Sequence, residues 1–148
     1  SGMFPMTAMV FTRRLKRFFD EHPLIHLCTF GGHDLGCVVA MRALEEYDAL
    51  EPWENARRLG EVLLAGLGDA VSAHGGRASV TGAGLLASVR FGGPDEARTF
   101  CVEAARAGLL VDVGRVDASS VVFRPSLLVS EQEVNEIVRT AEDVIRGM

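Results

Sequence analysis

The chain has 148 residues, the length of one domain or a little more, and its 48% hydrophobic content is enough for a core, which excludes a disordered polymer. A net charge of −5 argues against a nucleic-acid groove, and no apolar run reaches the roughly 18–20 residues of a membrane span. Three cysteines, Cys28, Cys37 and Cys101, form no CxxC pair, which points to reduced thiols and a cytoplasmic setting. The apolar start, "SGMFPMTAMVF", has neither the basic region nor the cleavage site of a signal peptide, so none is expected.

"FPMTAMVF", Phe4 to Phe11, is short and apolar and predicts a buried strand. Thr12 is placed to cap a helix running to about Asp20, and "EHP" ends it because Pro23 disfavours helix at His22. The basic run Arg13 to Arg17 reads as the wet face of that helix, with Leu15, Phe18 and Phe19 inward. "LIHLCTF", Leu24 to Phe30, reads as extended, and Gly31 and Gly32 then break the chain. From Asp34 the period becomes helical, with Leu35, Val38, Val39, Ala43, Tyr47 and Leu50 near one stripe. Pro52 interrupts it and suits the first turn of the next helix. That helix carries Leu59, Val62, Leu63, Leu67, Ala70 and Val71 on one face and stops at "AHGG".

"ASVTGAGLLASVRF" predicts two short strands with a turn at Gly82 to Gly84. Gly93-Pro94 opens a helix through about Ala107, ended by Gly108. "LLVDV" and "SSVVFRPSLL" read as strands. Ser130 to Glu133 is an S-x-x-E capping box, and its helix buries Val134, Ile137, Val138, Ala141 and Val144. The second half is therefore a small α+β unit. The first half is a strand plus helices, and a lone strand at Met6 to Thr12 leaves backbone groups unpaired unless a larger sheet receives it.

Chemistry concentrates in "CTFGGHDLGC", Cys28 to Cys37. Its C-x4-H-x3-C spacing gives three ligands where zinc takes four, and Cys37 falls inside the helix, so small packed side chains are expected instead. Cys28 with His26 or His33 lacks a third group to orient the base. "GAGLLA", Gly82 to Ala87, matches G-x-G-x-x-A but runs into strand-like sequence, so a turn is expected and not a dinucleotide fingerprint. A threonine hydroxyl and free N–H groups at a glycine break before a helix suit a phosphate; an ordinary capped loop is the alternative.

Five stretches in order carry a resemblance. "HPLIHLCTFGGHDLGCVVAMRALEEYD" resembles the T-F-G-G-N-P-L-A-C segment and following helix of class III (ornithine- and putrescine-type) pyridoxal-phosphate aminotransferases. "GMFPMTAMVF" resembles their G-G-x-x-P-I-G-A strand, "VTGAGLLASVRF" their R-G-x-G-L-M-x-G-I-E-F hairpin, "AARAGLLV" their R-x-x-G-L-L-V helix and strand, and "VVFRPSLLVSEQEV" their I-R-F-x-P-P-L-x-I-S-E-x-E-I ending. The match spans essentially the whole chain.

The resemblance implies an α/β architecture: residues 1–33 end a large pyridoxal-phosphate-binding domain with an interface loop, 34–77 are linker helices, and 78–148 form a small C-terminal α+β domain. It implies a homodimer with a cross-subunit active site, small-molecule amine and oxo-acid substrates, and neither nucleic acid nor membrane as partner. Thr29 takes the position that contacts the phosphate of pyridoxal 5'-phosphate in the other subunit's site. Cys28 stands where serine is common, and a thiol is the poorer donor. His33-Asp34 replaces Asn-Pro, with Asp34 able to cap the next helix. The arginine that holds a substrate carboxylate in many members aligns with Val122, and Arg124, two residues on, is the candidate replacement.

The Schiff-base lysine of the resemblance is expected about four residues before Ser1. Lys16, the one lysine, does not align with it. The expectation is part of an enzyme that moves an amino group from an amine, diamine or ω-amino donor to a 2-oxo acid or aldehyde, with this segment inactive alone. A stand-alone fragment or half of a split enzyme, acting as an interaction module, is the alternative.

Overall fold

A computed structural model describes residues 4–148. The chain divides into two compact units, one ending at Leu50 and the other running Glu51–Met148. Residues Gly2 and Met3 of the first resembling stretch lie outside the described residues.

In the first unit, helix α1 spans Arg13–Glu21 and helix α2 spans Asp34–Leu50. Thr12 occupies the N-cap of α1 and His22 its C-cap. Two i,i+4 pairs, Lys16–Asp20 at 2.6 Å and Arg17–Glu21 at 2.7 Å, run along its exposed face.

Three expectations about strands and burial fail in this unit. Residues 4–12 form no strand, and Met9 and Val10 are 70% and 96% exposed. Among the described residues no neighbouring strand offers a ladder, and an extended segment without one is not a strand. "LIHLCTF" folds into turns, one of them closed by Ile25 N–H donating to His22 O at 3.1 Å. Leu15 and Phe18 of α1 are not buried, because nothing in the unit covers them. Their helix instead packs rings on each other, with Phe11 stacked on Phe19 at 4.9 Å and Phe18 on His22 at 4.7 Å.

Glu51 separates the units. It precedes Pro52, which disfavours the right-handed helical region, and it adopts φ 43, ψ 50 in the left-handed region. Helix α3, Pro52–Ala73, then starts with its proline in the first turn, where a missing N–H costs nothing. Strands β1 (Ser79–Ala83) and β2 (Leu86–Arg90) form a hairpin in which Ala83 pairs with Leu86, so the loop is Gly84-Leu85. The "GAGLLA" stretch does hold a turn, but it lies later than the expected Gly82 to Gly84, because Gly82 and Ala83 pair with Ala87 and Leu86 in the ladder. Helix α4 spans Pro94–Arg106, strand β3 Asp112–Val113, strand β4 Ser120–Phe123 and helix α5 Glu131–Gly147.

All strand pairs are antiparallel and the sheet order is β1-β2-β4-β3. The last two strands are shorter than the sequence suggests: Leu109 to Val111 and Arg124 to Leu128 lie outside the ladder. The sheet's inner face carries Val80, Ala87, Val89, Val121 and Phe123, and its alternation leaves Thr81, Ser88, Val122 and Asp112 outward.

Helix α3 packs on β1 and β2, α4 on β3 and β4, and α5 on both helices. Leu59, Leu63 and Leu67 of α3, Phe100 of α4 and Val134 of α5 are fully buried in one core with Val89, Val121 and Phe123. Burial of each such large side chain is worth about 1.5–3 kcal/mol. Among the described residues no helix is long and apolar enough to cross a membrane.

Candidate functional site

The stretch from Cys28 to Cys37 folds as two turns running into α2. Gly31 N–H donates to Cys28 O at 3.0 Å and His33 N–H to Phe30 O at 3.2 Å. Gly32 sits at φ +68, a conformation that favours glycine, and reverses the chain just before the helix. Asp34 is the first helical residue, where its carboxylate meets the positive end of the helix dipole.

It does not cap α2, contrary to expectation. The preceding residue does: His33 Nδ1 accepts from Gly36 N–H at 3.3 Å, and Cys37 N–H donates to His33 O at 2.9 Å. With the helix starting at Asp34, only the residue before it is placed to reach the third helical N–H. An accepting Nδ1 puts the ring proton of neutral imidazole on Nε2.

The N-terminal segment closes over this first turn. Phe4 stacks on His33 at 5.6 Å. Gly36 is buried beneath it, and a Cβ there would lie 3.0 Å from the Phe4 ring and 3.3 Å from Met6 Sδ. A cleft of about 340 Å³ results, lined by Phe4, Met6, Thr7, Cys28, Phe30 and His33 among others, with no acidic side chain in its lining. Thr29 is exposed on the turn beside it, and Cys28 is an exposed free thiol. Among the described residues no hydrogen bond engages the Thr29 hydroxyl or its N–H. Lys16 is ion-paired to Asp20 on the surface of α1.

Arg124 lies in the second unit. The β4 register sets Val122 directly opposite Ser88 on one side and Asp112 on the other. Arg124 follows the last residue of β4 and donates through Nη2 to Asp112 Oδ2. No local pattern marks this partner, since which residue of "LLVDV" meets the strand carrying Val122 depends on a register that only pairing fixes.

The sequence model described as Aminotransferase class-III matches residues 1–145. The chain belongs to the class III aminotransferase family.

Among its relatives, this class III chain is 32% identical over 136 residues to an uncharacterized aminotransferase of Archaeoglobus fulgidus, covering 92% of this chain and 32% of that protein. It is 27% identical over 148 residues to the putrescine aminotransferase of Pectobacterium atrosepticum, covering 99% and 32%. The fold matches an amine transaminase from an uncultivated Pseudomonas species, solved in its PLP-bound form, with a TM-score of 0.80 at 24% identity, covering 91% of this chain and 33% of that one. The chain therefore spans about a third of the length of the curated relatives it matches.

Proposed function

We propose that the whole protein is a pyridoxal-phosphate-dependent aminotransferase, transferring an amino group from an amine, diamine or ω-amino donor to a 2-oxo acid or aldehyde. On this reading, residues 1–33 complete a large domain, 34–77 link it, and 78–148 are the small domain. The observation that carries the reading is the family match over residues 1–145 together with the unspent Thr29 donors on the turn that leads into α2.

The donor set fits a phosphate. The Thr29 hydroxyl and main-chain N–H are unengaged on the turn that leads into α2, beside a cleft without acidic lining. Thr29 donates to the cofactor phosphate, and in a homodimer it does so in the partner subunit's site. The Cys28 thiol contributes a weaker donor. When bound, pyridoxal phosphate supplies the electron sink, and the protein's part is to hold and orient it. Arg124 is the candidate contact for a substrate carboxylate.

Thr29→Val in the complete enzyme keeps the side chain's shape and removes a charge-assisted donor. We expect cofactor affinity to fall by about 1.5–3 kcal/mol, roughly ten- to a hundredfold, with the dimer intact. Hybrid dimers test the cross-subunit assignment. A Thr29→Val chain is paired with a chain whose cofactor lysine is replaced. The site that keeps its lysine then draws Thr29 from the other chain, and it should bind cofactor normally. A hybrid site as weak as the Thr29→Val homodimer would refute the assignment.

A further inference from the structure

We propose that Asp112 is a positioning residue that sets donor specificity by holding Arg124, so that the enzyme favours donors whose far end carries no carboxylate. The inference rests on the reading of Arg124 as facing substrate. The rows across the outer face of the sheet run Thr81–Ser88–Val122–Asp112 and Ser79–Arg90–Ser120.

Two arginines project from this face, and both already have acids. Arg90 Nε meets Asp117 Oδ2 at 2.9 Å, and Arg124 Nη2 meets Asp112 Oδ2. Arg124 is the first residue past β4, two beyond the Val122 that pairs with Asp112, and its long side chain reaches back to that carboxylate. The apolar Val122 lies between them in the alternation, directly opposite Asp112, and supplies no charge. Each of these two arginines is thus charge-balanced by its own acid.

A carboxylate arriving beside Val122 meets Arg124 already paired and must compete with Asp112 for it. A cationic or neutral end pays no such competition, and the Asp112 carboxylate repels an anion directly. Both members of the pair are largely solvent-exposed, so either can be replaced without opening the core. The contest is accordingly on the scale of an exposed ion pair, enough to rank donors and too small to forbid one.

The test uses the complete enzyme and compares 4-aminobutyrate with 1,4-diaminobutane as donors. Asp112→Asn is expected to raise kcat/KM for 4-aminobutyrate relative to the diamine by about three- to fivefold, through KM and not kcat, since the carboxylate contact is made equally before and during reaction. Asp112→Glu should keep the native ratio. Asp112→Asn with Arg124→Gln should lose the gain. A second measurement is independent of turnover: calorimetric binding of glutarate should tighten in Asp112→Asn and return to the native value in the double variant. An unchanged donor ratio in Asp112→Asn, or a gain that persists without Arg124, overturns the proposal. If the native enzyme transfers from no amine, the aminotransferase reading falls instead, and unchanged glutarate binding then overturns the Asp112 proposal separately.

Discussion

Gly60 shows how one residue can reverse a propensity argument. It sits inside α3, where glycine costs about 1 kcal/mol relative to alanine. Helix propensity alone therefore predicts that Gly60→Ala stabilises. The packing predicts the opposite. A Cβ at Gly60 would lie 2.3–2.4 Å from the Cα, C and O atoms of Gly84, the first residue of the β1–β2 turn. Backbone on a tight turn does not yield as the end of a long side chain does, and overpacking of this kind costs about 1–3 kcal/mol. Gly60→Ala is expected to lower the urea midpoint of the chain. Gly68, two turns further along the same helix, has open space at its Cβ, so Gly68→Ala should raise the midpoint. A Gly60→Ala variant as stable as Gly68→Ala would show that the hairpin does not rest on α3.

At the scale of an element, α5 is held at its start by a reciprocal cap. Ser130 Oγ accepts from Glu133 N–H at 3.2 Å, and Glu133 Oε2 accepts from Ser130 N–H at 2.7 Å. The hydrogen bond from the Ser130 backbone, and then that from its hydroxyl, holds the Glu133 carboxyl below its ordinary value. A carboxyl depressed in the folded state contributes stability that is complete above its unfolded value, about 4.3, and lost as pH falls through the folded one. Ser130→Ala should cost about 0.5–2 kcal/mol at neutral pH. Glu133→Gln should reduce the further loss of stability on acidification below about pH 4, read from urea midpoints at neutral and acid pH. Identical pH slopes for the native chain and Glu133→Gln would remove Glu133 from the acid response.

Over the whole molecule, the two units differ in how well they are closed. The second encloses a core in which Leu59, Phe100, Val121 and Val134 have no exposed surface. In the first, Gly36 is the only buried residue among those described. Its α2 stripe forms as a helix, yet Leu35, Val38 and Leu50 remain more than half exposed. Local opening is cheap where few apolar contacts oppose it. Amides of α3, α4 and α5 should therefore exchange with solvent far more slowly than those of residues 6–12 and α2, measured on this 148-residue chain by hydrogen exchange and mass spectrometry. Equal protection in residues 6–12 would mean that this segment has found a ladder, from another copy or from further chain.

Sequence by itself determined the helices, because each carries its own signals: Pro52 and "AHGG" bound α3, Gly108 follows α4, and the Ser130–Glu133 box opens α5. It also determined the hairpin and the family, since five motifs in fixed order need no coordinates. Those signals act over a few residues, within reach of periodicity and capping. Phe4 to Phe11 and Leu24 to Phe30 lay beyond them, because apolar character favours extended structure locally but a strand exists only when another strand bonds to it. The motif singles out Thr29 only as a candidate, whereas the His33 cap depended on which residue began α2. The Asp112–Arg124 pair was decided by the β3–β4 register and the Gly60–Gly84 contact by packing between elements. Both join residues distant in the chain, through contacts that no local pattern encodes.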